Sequence, residues 1–175
     1  MSSIYLRNTF GIQHPAIGLL NIGTEETKGN ELVRESYKLL KEKAEELNIN
    51  FVGNVEGRDA FSGKIDAIVA DGFTGNVFLK TTEGLGKFVK KSLTESFTKN
   101  ILAKIFSIPA LPAIKRFSKT MDYKSYGGAL FLGVKKPVVK AHGSSDALLF
   151  EYTLIQAEKF VQNKAVDKMI EEFEK

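Results

Sequence analysis

Apolar and polar positions along the chain switch between two regimes. Ala16-Ile17-Gly18-Leu19-Leu20-Asn21-Ile22 is a short apolar run closed by Gly23, the pattern of a strand buried on both faces. Val33, Tyr37, Leu40, Ala44 and Leu47 then step by 4, 3, 4 and 3 residues. Glu31, Arg34, Glu35, Lys38, Lys41, Glu42 and Glu45 fill the opposite face, as on the outer helix of an α/β layer, and Asn30 is placed to cap it. Phe51 to Val55 and Ile65 to Ala70 repeat the strand pattern. A long helix is expected from about Gly75, through Phe78, Leu85, Phe88 and Val89. This βαβ rhythm predicts an α/β fold: a mainly parallel sheet with flanking helices.

Beyond Gly128, Ala129 to Val134 and Pro137 to Ala141 flank Lys135-Lys136 as a β-hairpin. Ser144 or Ser145 is expected to cap a helix from about Asp146 to Gln162, and Val166, Met169, Ile170 and Phe173 mark a last short helix. Only a short helix, Ile4 to Phe10, precedes the first strand. Three strands and a hairpin are few for a sheet covered on both faces, so the single α/β domain read over 1–175 is expected to be part of something larger. Within it, 97–117 stands apart. Phe97, Ile101, Leu102, Ile105 and Phe106 form one helical stripe; Pro109 and Pro112 interrupt it, and Leu111, Ile114 and Phe117 resume it beside Lys115-Arg116. The simplest picture is a projecting insertion of two amphipathic helices with a proline hinge. Core, dimer surface and in-plane membrane anchor all fit that pattern.

Composition narrows the classes. The 175 residues are 43% apolar, ample for one core, and 25 Lys and Arg against 21 Asp and Glu leave only +4. A histone-like nucleic-acid binder is thereby unexpected. With no cysteine, a disulfide framework, a thiolate zinc site and a cysteine acyl-enzyme are excluded. No uncharged run reaches the roughly 18 residues of a membrane span. Met1 to Gly11 has no apolar signal core, and an intracellular domain is expected. Charge is uneven: from Lys87 to Lys124 nine cations face only Glu95 and Asp122, a local +7 that leaves −3 for the rest. Such a segment calls for an anionic partner, a membrane surface, an acidic protein or a phosphate ligand, unless it is merely a solvated face.

Three loops can carry chemistry, since ligands in open α/β sheets bind where strand ends meet helix starts. Gly23-Thr24-Glu25-Glu26-Thr27-Lys28-Gly29-Asn30 offers glycines and a lysine before a helix, without P-loop spacing; a plain capping loop fits equally. Asp71-Gly72-Phe73-Thr74-Gly75-Asn76 offers backbone N–H groups at a helix start and the Asn76 amide as an oxyanion donor; an Asp/Thr-capped turn is the alternative. Lys140-Ala141-His142-Gly143-Ser144-Ser145-Asp146 is no hydrolase triad, because no G-x-S-x-G elbow exists and triad members converge from separated positions. His142 fits a proton carrier or anion donor, whereas His14 lies in a loop. No cluster has metal-ligand spacing.

Taken together, Gly18-Leu19-Leu20-Asn21-Ile22-Gly23-Thr24-Glu25-Glu26-Thr27-Lys28-Gly29-Asn30-Glu31-Leu32, Asp71-Gly72-Phe73-Thr74-Gly75-Asn76, Asp122-Tyr123-Lys124-Ser125-Tyr126-Gly127-Gly128 and Lys140-Ala141-His142-Gly143-Ser144-Ser145 closely resemble the phosphate acyltransferases of bacterial phospholipid synthesis. The resemblance covers the chain but only the C-terminal half of the family's pattern. It implies the architecture of the isocitrate/isopropylmalate dehydrogenases and phosphotransacetylases. It implies transfer of a fatty acyl group from acyl carrier protein to inorganic phosphate, giving acyl phosphate, without cofactor, metal or nucleic acid. It also implies a homodimer, cytoplasmic and peripherally membrane-associated on an anionic surface, near the downstream glycerol-phosphate acyltransferase. Motif position and chemistry together assign Lys28, Asn76 and His142 to catalysis, and Thr24, Gly29, Asn30, Gly75, Gly127, Gly128, Ser144 and Ser145 to substrate. Phe97, Ile101, Ile105, Leu111 and Ile114 are assigned to membrane contact. The alternatives are a non-catalytic module binding carrier protein and membrane, and a short-chain phosphotransacetylase.

Overall fold

The computed structural model describes residues 1–100, 108–120, 127–143 and 145–173, with 118–120 by their backbone. Strands β1 (Ala16–Asn21), β2 (Asn50–Glu56) and β3 (Ala67–Val69) form one sheet in the order β2-β1-β3, and both pairings are parallel. Leu19 of β1 lies between Asn54 and Val69. β1 is the central strand and is buried from Ala16 to Leu20, as its apolar run predicts. The edge strand β3 is shorter than the apolar run Ile65 to Ala70, because Asp66 turns its carboxylate onto the Ala16 N–H at 2.7 Å.

The sheet is tight at one point. β2 carries a bulge opposite Ile17 and Gly18, with Gly53 at φ +90°, and Val55 is drawn against β1. A Cβ on Gly18 would stand 2.2 Å from Val55 Cγ2, so only glycine lets the two strands close. Helix α2 (Glu31–Lys43) covers one face, where Tyr37 meets the Phe51 ring edge-on at 5.5 Å. As expected, Asn30 caps α2 by accepting from the Val33 N–H at 3.0 Å.

A second apolar cluster joins α1 (Ser2–Phe10), α5 (Ala147–Gln162) and α6 (Ala165–Phe173) through Ile4, Phe160, Ala165, Val166 and Met169. Tyr5 packs edge-on against Phe160, and Arg7 pairs with Glu172 at 2.8 Å. Helix α3 (Gly72–Thr98) is 27 residues and about 40 Å long, and none of its residues is buried. Phe78 holds it to the sheet side, stacked on Phe61 and against Gly57. Phe73, Leu85 and Phe88 on α3, and Leu148, Phe150, Leu154 and Val161 on α5, stay exposed.

Several expected boundaries move. α3 begins at Gly72, three residues before the predicted start, because Asp71 caps it. The cap of α5 is Asp146, which accepts from the Leu149 N–H at 2.9 Å, and not Ser144 or Ser145. The hairpin is reduced to β4 (Ala129–Leu130) and β5 (Val139–Lys140), antiparallel, with one further bond from Phe131 N–H to the Val138 carbonyl. Gly133 at φ +81° and Pro137, which has no N–H to give, end the ladder there. Of the proline-hinged stripe, Phe97 belongs to the last turn of α3, while Ile101, Leu102, Ile105 and Phe106 lie outside the described residues. A 3₁₀ turn at Ile108–Ala110 and α4 (Leu111–Thr120) carry the rest, with Pro112 in the first turn of α4, where its missing N–H costs nothing.

The close approach at Gly18 yields a stability test. Gly18→Ala is expected to cost about 1–3 kcal/mol in urea unfolding. Adding Val55→Ala should recover part of that loss, so the double variant is more stable than the sum of the single effects. Simple additivity would mean that the two strands do not clash as described.

Candidate functional site

The loop after β1 is built before any ligand arrives. Asn21 donates from Nδ2 to the Lys28 carbonyl at 3.1 Å, Asn54 from Nδ2 to the Glu25 carbonyl at 2.9 Å, and Arg34 from Nη1 to the Gly29 carbonyl at 2.7 Å. Glu26 ties the loop to α2 through the Lys41 ammonium and the Tyr37 hydroxyl, and those bonds, Lys41 foremost, hold its carboxyl below the ordinary range. Gly29 sits at φ +88°, where a Cβ would press on Asn21 Oδ1. Thr24 and Lys28 are left exposed on this braced loop, and Asn30 spends its side-chain oxygen on the α2 cap.

The start of α3 is differently arranged from the expectation. Asp71 Oδ1 accepts from the Phe73 and Thr74 N–H groups, both at 2.9 Å, and the Gly75 N–H donates to the Asp71 carbonyl at 2.9 Å. The backbone donors foreseen for an oxyanion near Gly75 are therefore already engaged. The Thr74 hydroxyl, then the Thr74 and Phe73 amides, hold the Asp71 carboxyl below its usual range. Asn76 lies inside the helix rather than on a loop end, with its side chain exposed.

One face of α3 gathers chemistry from Asn76 onward. Asn76, Lys80 and Glu83 are spaced i, i+4 and i+7, so they form one stripe. Lys80 Nζ lies 3.0 Å from Glu83 Oε2 and 3.4 Å from His142 Nε2, and Glu83 Oε1 is 4.0 Å from the same nitrogen. The Glu83 side chain is only 11% exposed. His142 reaches this stripe from the turn between β5 and α5. That turn is locked because the Ser145 N–H and hydroxyl both donate to the His142 carbonyl, at 3.0 and 2.6 Å. The sequence reading missed Lys80 and Glu83, although their helical spacing from Asn76 was visible.

The glycine pair has a structural explanation. The Gly128 N–H donates to Gln156 Oε1 at 2.8 Å, so this amide is not open to phosphate. A Cβ there would lie 2.6 Å from the Lys140 carbonyl oxygen, and Gly127 at φ +75° backs onto the Tyr152 carbonyl. These glycines let β4 close on β5 and α5. Ser144 lies outside the described residues. Parallel pairing puts the loops after β1 and β3 at one end of the sheet. The structure thus brings His142 to the helix of Asn76; hydrogen bonds of the Lys28 loop run instead to α2 and β2. Of the residues expected at a membrane, Leu111 is exposed, and Phe97 and Ile114 are half-buried. Among the described residues no helix is long and apolar enough to cross a membrane.

Residues 1–168 match the family model described as fatty acid synthesis protein. The chain belongs to that family. Similar family members include a protein of Clostridium acetobutylicum named phosphate acyltransferase, 45% identical over 174 residues, 99% of this chain and 51% of that protein. Phosphate acyltransferases of Clostridium perfringens (46% over 176 residues) and Thermoanaerobacter pseudethanolicus (43% over 174) match likewise, each over 51% of its length. This member of the fatty acid synthesis protein family spans about half the length of those relatives.

The cap on α3 gives a pH-dependent prediction. Because the folded-state pKa of Asp71 is depressed, its stabilisation is present above the unfolded value, about 3.9 for aspartate. It is lost as pH falls through the lower folded value. Asp71→Ala should lower the melting temperature at pH 7, and the gap to the parent should close as the pH drops below that range. A gap independent of pH would assign the loss to something other than the charged cap.

Proposed function

We propose that this protein carries the phosphate-handling part of an acyltransferase that moves a fatty acyl group from acyl carrier protein to inorganic phosphate. The observation that carries the reading is the contact of His142 with Lys80 on the α3 stripe that begins at Asn76, with the Lys28 loop leaving the same end of the sheet as the chain that enters α3. The similarity to phosphate acyltransferases over nearly the whole chain supports it.

In this reading a phosphate oxygen attacks the thioester carbonyl carbon. A C–O bond forms, the carbonyl electrons move onto oxygen, and collapse of the tetrahedral intermediate breaks the C–S bond. The sulfur leaves with the bonding pair and takes up a proton. Phosphate is itself the nucleophile, so no enzyme cysteine is needed, and the chain has none. Lys28, with Thr24, Gly29 and Asn30 of its loop and Ser144 and Ser145 of the facing turn, holds the phosphate. Gly75, Gly127 and Gly128 shape the walls by close approach rather than by donating. With the amides of Phe73, Thr74 and Gly75 engaged, oxyanion stabilisation rests on the Asn76 side chain. His142 contacts the phosphate.

The +7 segment suits acidic carrier protein and anionic lipid. Phe97, Ile101, Ile105, Leu111 and Ile114 form the membrane contact of a peripheral, cytoplasmic homodimer of the dehydrogenase-like architecture. It delivers acyl phosphate to the downstream glycerol-phosphate acyltransferase. The exposed apolar side chains of α3 and α5 favour a site completed by further polypeptide. The isolated chain is accordingly expected to be weakly active or inactive.

Acyl phosphate formation from acyl carrier protein and phosphate tests the reaction directly, trapped as hydroxamate. Asn76→Ala should lower turnover roughly a hundredfold with little change in melting temperature. Unchanged turnover with a lower melting temperature would make Asn76 a structural residue only. For the membrane contact, Leu111→Asp with Phe117→Asp should abolish cosedimentation with anionic liposomes and leave the circular dichroism unchanged; both side chains are exposed on α4. Unfolding of that variant would place the stripe in a core or dimer interface.

A further inference from the structure

The loop after β2, residues 57–66, leaves the same end of the sheet as the Lys28 loop, because β1 and β2 run parallel. Its first cation is Arg58. Glu56, the last residue of β2, is paired in register with Asn21, the last residue of β1, and Asn21 Nδ2 donates to the Lys28 carbonyl at 3.1 Å. Arg58 and Lys28 therefore stand on loops that begin at adjacent strand ends, and neighbouring strands lie only about 4.8 Å apart. The backbone is held on either side of Arg58. A Cβ on Gly57 would lie 3.1 Å from the Phe78 ring of α3. Phe61, which ends the 3₁₀ turn Asp59–Phe61, stacks on the same ring with centroids 6.1 Å apart.

The Arg58 side chain itself is not packed away. It is 79% exposed, whereas that of its ion-pair partner Glu56 is 22% exposed, with Oε2 buried. That oxygen receives no aligned hydrogen bond, so the positive charge at Arg58 Nη2 is what compensates its burial. A guanidinium carries five N–H donors in a planar fork, and the ion pair engages one nitrogen. The rest of the fork opens to solvent at the strand ends, where open α/β sheets place their ligands. A planar fork of this kind matches phosphate oxygens in pairs.

We propose that Arg58 is a phosphate-binding residue: the open edge of its guanidinium donates to oxygens of the inorganic phosphate that Lys28 holds from the adjoining loop. The Glu56–Arg58 pair is neutral as a unit. Long-range attraction of the anion therefore comes from Lys28, and Arg58 contributes directed N–H donors. The proposal rests on the acyl-transfer reading, to which it adds a residue of a loop that no motif singled out.

Inorganic phosphate titrated into the ¹⁵N-labelled chain at constant ionic strength reads the site at two reporters, the Lys28 amide and the Arg58 Nε–H. Both signals should move and saturate with one Kd. Arg58→Met combined with Glu56→Gln keeps the local net charge and leaves no buried carboxylate unpaired, so it isolates the directed contact from the general field. That double variant should raise the Kd about 10- to 100-fold, as loss of a hydrogen bond between charged groups does, with the circular dichroism unchanged. Saturation at Lys28 with the Arg58 Nε–H unmoved, or an unchanged Kd in the folded double variant, would overturn the proposal and leave the Lys28 site standing. If the double variant unfolds, the response of the Arg58 Nε–H in the parent decides alone. No saturable shift at either reporter would sink the phosphate-handling reading, and the role of Arg58 with it.

Discussion

The parallel pairing of β1 with both its neighbours is the constraint on which the rest of the molecule depends. It sends the chain out of β1 and β3 at the same end of the sheet, so the Lys28 loop and the start of α3 become neighbours without touching in sequence. The pairing is close because Gly18 has no side chain to meet Val55, and it is buried because β1 is apolar from Ala16 to Leu20. The one polar side chain of β1, Asn21, stands at its last position, where it is half-buried and satisfied by the Lys28 carbonyl and the Ile22 N–H.

A second tension governs the helix that carries the site. An unsatisfied helix N-terminus attracts anions, but it is also a source of instability unless capped. In α3 the cap prevails: Asp71 takes two amides and places a negative carboxylate where an anion would sit. In the proposed reading the chemistry is displaced along the helix, onto side chains one to three turns further in, at Asn76, Lys80 and Glu83. The compensation is rigidity, since those side chains stand on helix backbone and are met by a turn that Ser145 locks from within.

The sequence patterns were legible where a period or a cap dominates locally. The apolar run of β1, the stepped face of α2 and the Asn30 cap correspond closely to the structure. Boundaries failed where two residues compete for one role. At Asp71–Gly75 the glycines suggested an open loop, but an aspartate cap ends the loop earlier. At Ser144–Asp146 the aspartate took the cap and Ser145 turned back to the His142 carbonyl. The short hairpin followed from Gly133 and Pro137, whose effects on pairing depend on register. Lys80 and Glu83 escaped notice because they fall outside the motif blocks; their meaning appears only when the turn after β5 lies against α3. The family resemblance, by contrast, rested on four ordered motifs, and the match over residues 1–168 agrees with it.

The central claim is that one phosphate site is assembled from the Lys28 loop, the Asn76–Glu83 face of α3 and the turn at His142. Titration of the ¹⁵N-labelled chain with inorganic phosphate, followed by amide and side-chain shifts, tests this most directly. The account predicts saturable shifts at Lys28, Asn76 and His142 with a single apparent Kd. Shifts confined to the lysines of α4 or spread evenly over the surface, with these three unmoved, would contradict it.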